Sequence, residues 1–126
     1  MHKIVRRNRK DMGRNKYKAS KIETDDGRFD SKLEFKRWVY LRQLEKFGVI
    51  TNLMRQVPFT LIPSQYKYGK CIFRECRYVA DFTYTIAETG EYIVEDTKGI
   101  VLDVFRIKQK LMYFVHGIVV QVVRKW

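Results

Sequence analysis

The chain has 126 residues, 45% of them hydrophobic and 14% aromatic, enough for one buried core and too few for two comfortable domains. Lys and Arg number 26 against 14 Asp and Glu, a formal net charge of +12, so an anionic partner is expected. Nucleic acid ranks ahead of a membrane surface because no strongly amphipathic helix carries one cleanly basic face, and no apolar run approaches the roughly 20 residues of a membrane span. Met1 leads straight into a basic, polar segment without a signal-peptide core, which points to a soluble, cytoplasmic protein. Cys71 and Cys76 are far in sequence from His2 and His116 and read as reduced structural thiols rather than zinc ligands.

Residues 1–20 form a basic arm with little to bury, rich in side chains such as Arg14, Lys16 and Lys18, which either grip nucleic acid or simply stay solvated. The remaining residues, 21–126, form a single domain. Lys21–Thr24 and Arg28–Asp30 flank Asp25-Asp26-Gly27, a turn signal that predicts a small hairpin. A helix follows from Asp30 or Ser31 to Phe47, stopped by Gly48, with Leu33, Tyr40, Leu41, Leu44 and Phe47 as its buried stripe. Leu53–Ile62 reads as a strand that Pro58 assigns to an edge or an irregular position, and Pro63–Lys70 as a loop. In that loop Tyr66, Lys67, Tyr68 and Lys70 suit base stacking and phosphate contact, or simple solvation.

Cys71–Ile86 is β-rich, with Ala80, Phe82, Tyr84 and Ile86 alternating against Asp81, Thr83 and Thr85. A short turn over Ala87–Gly90 joins it to a second strand, Glu91–Lys98. A second helix is expected over Asp103–His116, capped by Asp103, closed by Gly117 and burying Val104, Ile107, Leu111, Phe114 and Val115. His116 then interacts with the end of the helix dipole. Ile118–Val123 supplies a last strand. The fold class is α+β, a mixed sheet flanked by helices in the order α-β-β-β-α-β after the small hairpin.

The turn fixes a register. Pairing Ala87 with Gly90, or Ile86 with Glu91, sets Asp81 opposite Asp96, and the strand period of two puts Lys98 on the same side as Asp96. Glu95 points to the other face. Two carboxylates about 5.5 Å apart repel by roughly 3 kcal/mol at an effective dielectric near 20, so a cation belongs between them. A hard divalent ion such as Mg²⁺ suits oxygen ligands and would have a use against a phosphodiester. The plainer alternative is a surface ion pair of little energetic weight.

Val79-Ala-Asp81-Phe, the hairpin, and Val94-Glu-Asp96-Thr-Lys98-Gly together resemble the PD-(D/E)xK nuclease signature, with Ala80 where the nominal proline would stand. The resemblance runs from about Asp25 to the C-terminus and is closest to small phage-encoded proteins of Holliday-junction-resolvase-like type. It implies a restriction-endonuclease-like fold and a Mg²⁺-dependent endodeoxyribonuclease, with Mn²⁺ able to substitute. Asp81, Asp96 and the Thr97 carbonyl would ligate the metal, and Lys98 would assist the attacking water. Branched or duplex DNA would be the substrate, a phage origin would place the protein in host cytoplasm, and symmetric cutting of a junction would need a homodimer. Glu34 would complete the metal site, as an extra glutamate on the first helix does in many members; alternatively Ser31-Lys-Leu-Glu34 is a capping box. Lys108 lies within the apolar arc of the second helix, either reaching a phosphate or a catalytic oxygen, or snorkelling to water. The rival to the enzyme is a non-catalytic DNA- or RNA-binding module whose acids are structural.

Overall fold

The computed structural model describes residues 21–124. The basic arm, with Arg14, Lys16 and Lys18, lies outside the described residues. Strands β1 (Ile22–Thr24) and β2 (Gly27–Phe29) pair as an antiparallel hairpin. Its turn is Asp25-Asp26, and Gly27 carries the positive φ of 115°. Helix α1 (Lys32–Lys46) begins at Ser31, whose hydroxyl accepts from the Glu34 N–H, and ends before Gly48 at φ 80°.

Strand β3 (Ile50–Ile62) lies at one edge of a four-stranded sheet, where Pro58 is tolerated. It pairs antiparallel with β6 (Cys76–Ile86), which pairs antiparallel with β7 (Tyr92–Thr97). Helix α2 (Asp103–His116) crosses over to β8 (Gln121–Val123), which runs parallel to β7. The result is a mixed α+β domain with sheet order β3-β6-β7-β8. No helix among the described residues is long and apolar enough to cross a membrane.

Four expectations are corrected. Residues 63–70 are not a plain loop: β4 (Gln65–Lys67) and β5 (Lys70–Phe73) form a separate hairpin, turned by Tyr68 and Gly69, both at positive φ. On α1, Tyr40 and Phe47 are exposed, and the inward face is built on Glu34, Trp38, Leu41 and Leu44. The stripe holds at Leu41 and Leu44 and fails at Tyr40 and Phe47, because the inward face turns toward Glu34 and Trp38. On α2 the apolar arc is displaced: Phe105 and Met112 are buried, whereas Val104, Ile107, Phe114 and Val115 are exposed, Phe114 to 86%. The N-cap of α2 is Leu102, with no side-chain cap, rather than Asp103.

Two apolar clusters brace the sheet. Leu41, Ile50, Phe82 and Tyr84 pack with Trp38 and Leu44 of α1, and Tyr78, Ala80, Val94, Phe105 and Met112 join α2 to the other part. His116, expected to serve the helix dipole, brings its Nε2 within 2.8 Å of the Thr60 carbonyl and its ring edge against Phe59, tying the end of α2 to β3.

Candidate functional site

The register of the β6–β7 hairpin assembles the site. The turn uses the four-residue form: Ile86 N–H donates to the Glu91 carbonyl and Gly90 N–H to that of Ile86. Phe82 pairs with Glu95, so Asp81 and Asp96 come next to each other along the same ladder. Each aspartate uses one oxygen to hold the opposite strand. Asp81 N–H donates to Asp96 Oδ1 at 3.3 Å, while Thr97 N–H and its hydroxyl both donate to Asp81 Oδ2 at 2.8 Å. The second oxygen of each carboxylate, Asp81 Oδ1 and Asp96 Oδ2, is left for other partners.

Lys98 Nζ stands 3.0 Å from Asp96 Oδ2 and 4.6 Å from the centre of the Phe105 ring. The two form an ion pair, and beyond that ammonium no hydrogen bond reaches the buried Asp96 Oδ2 or the buried Tyr78 hydroxyl among the described residues. Burial first, and then the Asp81 charge, pushes the Asp96 carboxyl up to about 7, against the opposing pull of Lys98. Burial and the two aspartates also hold the Tyr78 phenol protonated beyond its usual range.

Glu34 reaches the site from α1 while still serving the helix start, so the two readings of this residue are not exclusive. Its Oε1 accepts from Asp30 N–H at 3.3 Å. Its Oε2 faces Gln56 Nε2 at 3.3 Å and Arg55 Nη2 at 3.5 Å. The side chain is buried, and burial together with Asp81 raises its carboxyl from 4.5 to about 7.

Two residues of β3 were not anticipated. Gln56 places one amide nitrogen between Glu34 Oε2 and Asp81 Oδ1, the latter at 3.5 Å, from a backbone at φ 52° that a non-glycine residue adopts at a cost. Nothing in a strand-like sequence signals that conformation. Arg55 lies over the Phe29 ring at 3.7 Å and donates to the Arg28 carbonyl at 2.8 Å, which fixes the small hairpin against Glu34. A Cβ at Gly27 would lie 3.2 Å from Arg55 Nη1, which would have to give by a few tenths of an ångström; the φ of 115° is the stronger reason for glycine there.

Glu95 takes no part in the acid cluster. It turns to α1, where Arg37 binds it through two hydrogen bonds of 2.8 and 2.6 Å and Tyr84 donates its hydroxyl at 2.5 Å. That buried trio holds β7 to the helix carrying Glu34. Lys108 is half-buried and lines a cleft beside Lys98 and Asp96. Thr97 touches Asp81 through its N–H and hydroxyl. Cys71 and Cys76 are free thiols on β5 and β6.

Among the described residues, no group of three or more His, Cys, Asp or Glu side chains is gathered closely enough to hold a metal ion as it stands. The chemistry of the donors nevertheless suits a hard cation. Asp96 Oδ2 is buried with only the Lys98 ammonium against it, Asp81 Oδ1 has only the distant Gln56 amide, and the carboxyls of Glu34 and Asp96 are both held up by burial and by Asp81. An oxygen-loving divalent ion would relieve each of these.

Residues 14–124 match the model of a family described as a protein of unknown function (DUF1064). No curated protein and no solved structure matches the chain.

Proposed function

The chain belongs to the DUF1064 family, and we propose that it is a divalent-metal-dependent endodeoxyribonuclease with a restriction-endonuclease-like PD-(D/E)xK core. The observation that carries the reading is the pairing of Asp81 and Asp96 across one hairpin, with Lys98 ion-paired to Asp96 at 3.0 Å. Within the four-stranded sheet, three strands between the two helices and one after them, with the parallel crossover from β7 to β8, support the fold assignment. The net charge of +12 supports a phosphate-bearing partner.

In this reading Asp81 and Asp96 hold Mg²⁺ or Mn²⁺, with Glu34 and the Thr97 carbonyl completing the set. The ion would stabilise charge on the phosphate and ease deprotonation of water. Lys98 orients the attacking water and faces the phosphate oxygens, Gln56 keeps Glu34 and Asp81 from drifting apart, and Lys108 contacts the phosphate backbone with the arm residues Arg14, Lys16 and Lys18. Water attacks phosphorus, the P–O3′ bond breaks and the O3′ takes a proton, leaving a 5′-phosphate and a 3′-hydroxyl. Symmetric resolution of a four-way junction would take two copies.

The test is direct. Full-length chain is incubated with duplex, flapped and four-way-junction DNA in Mg²⁺ or Mn²⁺, alongside Asp81→Ala and Lys98→Ala. The expected result is cleavage by the wild type, lost in EDTA and reduced at least ~100-fold in both variants with DNA binding kept. Binding without any cleavage would instead support a non-catalytic nucleic-acid module, and cleavage surviving in both variants would move the chemistry elsewhere.

A further inference from the structure

The β4–β5 hairpin forms a sheet of its own, apart from the one that carries the acids, and the hydrolytic chemistry makes no use of it. Every residue from 65 to 74 is exposed, so burial does not explain its composition. Residues 63–74 include Lys67, Lys70 and Arg74 and no acid. Among the described residues none of these cations is in an ion pair, and the next acid along the chain, Glu75, is engaged by Arg77 and by the Thr60 hydroxyl. Lys67 and Lys70 also close the hairpin as a directly opposed pair, and like charges so placed cost stability unless an anion lies against both.

Tyr68 is the second anomaly. It opens the two-residue turn at φ 53°, with Gly69 following at φ 78°, a turn for which asparagine is the favoured first residue and a bulky side chain is strained. The core makes no use of its ring, which is 93% exposed and has only Lys67 Nζ at 5.6 Å from its centre. A strained residue with no inward task points to an outward one.

Cations interleaved with tyrosines suit a polyphosphate that also offers sugar and base surface. A membrane fits less well: Lys67 and Lys70 flank the tip while Ile72 and Phe73 lie farther back, so insertion would bury ammonium groups ahead of the apolar side chains. A two-stranded ribbon has a width that the major groove of DNA admits. The chain from Lys70 to Asp81 spans at most about 36 Å at roughly 3.3 Å per residue, close to one turn of the double helix, so the tip and the acid cluster can address the same duplex. We propose that the β4–β5 hairpin is a docking ribbon for duplex DNA, with Lys67 and Lys70 on phosphates and Tyr68 against the groove wall. The inference rests on the nuclease reading only for DNA as the partner, and adds a binding element to which that reading gives no task.

The experiment measures binding of the full chain to a labelled duplex of about three helical turns by fluorescence anisotropy, in EDTA and over a series of KCl concentrations. The wild type is set beside the double variant Lys67→Gln, Lys70→Gln and beside Tyr68→Asn, which gives the hairpin its preferred turn and so keeps it folded. In the double variant affinity should fall at least ~10-fold and the slope of log affinity against log salt should shrink by about 1–2. In Tyr68→Asn affinity should fall at least ~5-fold with the slope unchanged and the Tm not lowered. Affinity within ~2-fold of wild type in either variant, or an unchanged slope in the double variant, overturns the inference. Competition by phosphatidylserine vesicles or polyglutamate that equals duplex DNA, charge for charge, also overturns it. The nuclease reading fails on a different result, the absence of cleavage of any DNA in Mg²⁺ or Mn²⁺.

Discussion

Replacing Glu34 by glutamine is expected to change how stability depends on pH. In the folded chain the Glu34 carboxyl titrates at about 7, against 4.5 for the free side chain, because it is only 2% exposed and faces Asp81. Between those values the folded chain keeps a proton that the unfolded chain has lost, so stability falls as pH rises through this window. At about 1.4 kcal/mol per pH unit the interval corresponds to about 3 kcal/mol, or roughly 10 °C in Tm for a domain of this size. Asp96, pushed up by burial and by Asp81, acts in the same direction, and the two effects do not add because both include Asp81. Urea unfolding of wild type and Glu34→Gln in EDTA, from pH 4.5 to 8, isolates the first contribution. The stability difference, wild type minus variant, should fall by about 3 kcal/mol across the window. A difference that stays level, or grows with pH, would refute the buried, metal-free carboxylate as described. Mg²⁺ should then raise the wild-type Tm more at pH 8 than at pH 5, where it competes with protons.

Gln56→Glu places a third carboxylate between Glu34 and Asp81; it should lower the metal-free Tm and enlarge the rise on adding Mn²⁺, both read by thermal scanning. Arg37→Met leaves Glu95 charged and buried and should cost about 3–5 kcal/mol in urea unfolding at pH 7. Met112→Ala should cost about 2–5 kcal/mol, whereas Phe114→Ala should stay within about 0.5 kcal/mol, a contrast that checks which face of α2 is inward.

Residues whose positions depend on counting along the chain were legible. The Ala87–Gly90 turn and a period of two were enough to place Asp81, Asp96 and Lys98 together and to turn Glu95 away. The limits of α1 were legible because Ser31 and Gly48 are strong start and stop signals. What failed depended on apolar letters standing for burial. Glu34 is buried while Tyr40 and Phe47 are not, and Phe105 and Met112 go inward on α2 while Phe114 does not. The β4–β5 hairpin was hidden because Tyr68 takes a turn conformation usually given to Asn or Gly. Gln56 was hidden because its role comes from one backbone angle within a strand.

Neighbouring acids on β7 have separate tasks. Glu95 anchors the strand to Arg37, and Asp96 joins the cluster with Asp81 and Lys98. Shortening the Ala87–Gly90 turn by one residue would exchange them, offering a glutamate to the cluster and an aspartate to the anchor. Selection on this segment should therefore preserve the spacing from Asp81 to Asp96 strictly, along with Thr89, whose hydroxyl accepts from the Glu91 N–H at 3.2 Å, while leaving the exposed Glu88 open to drift.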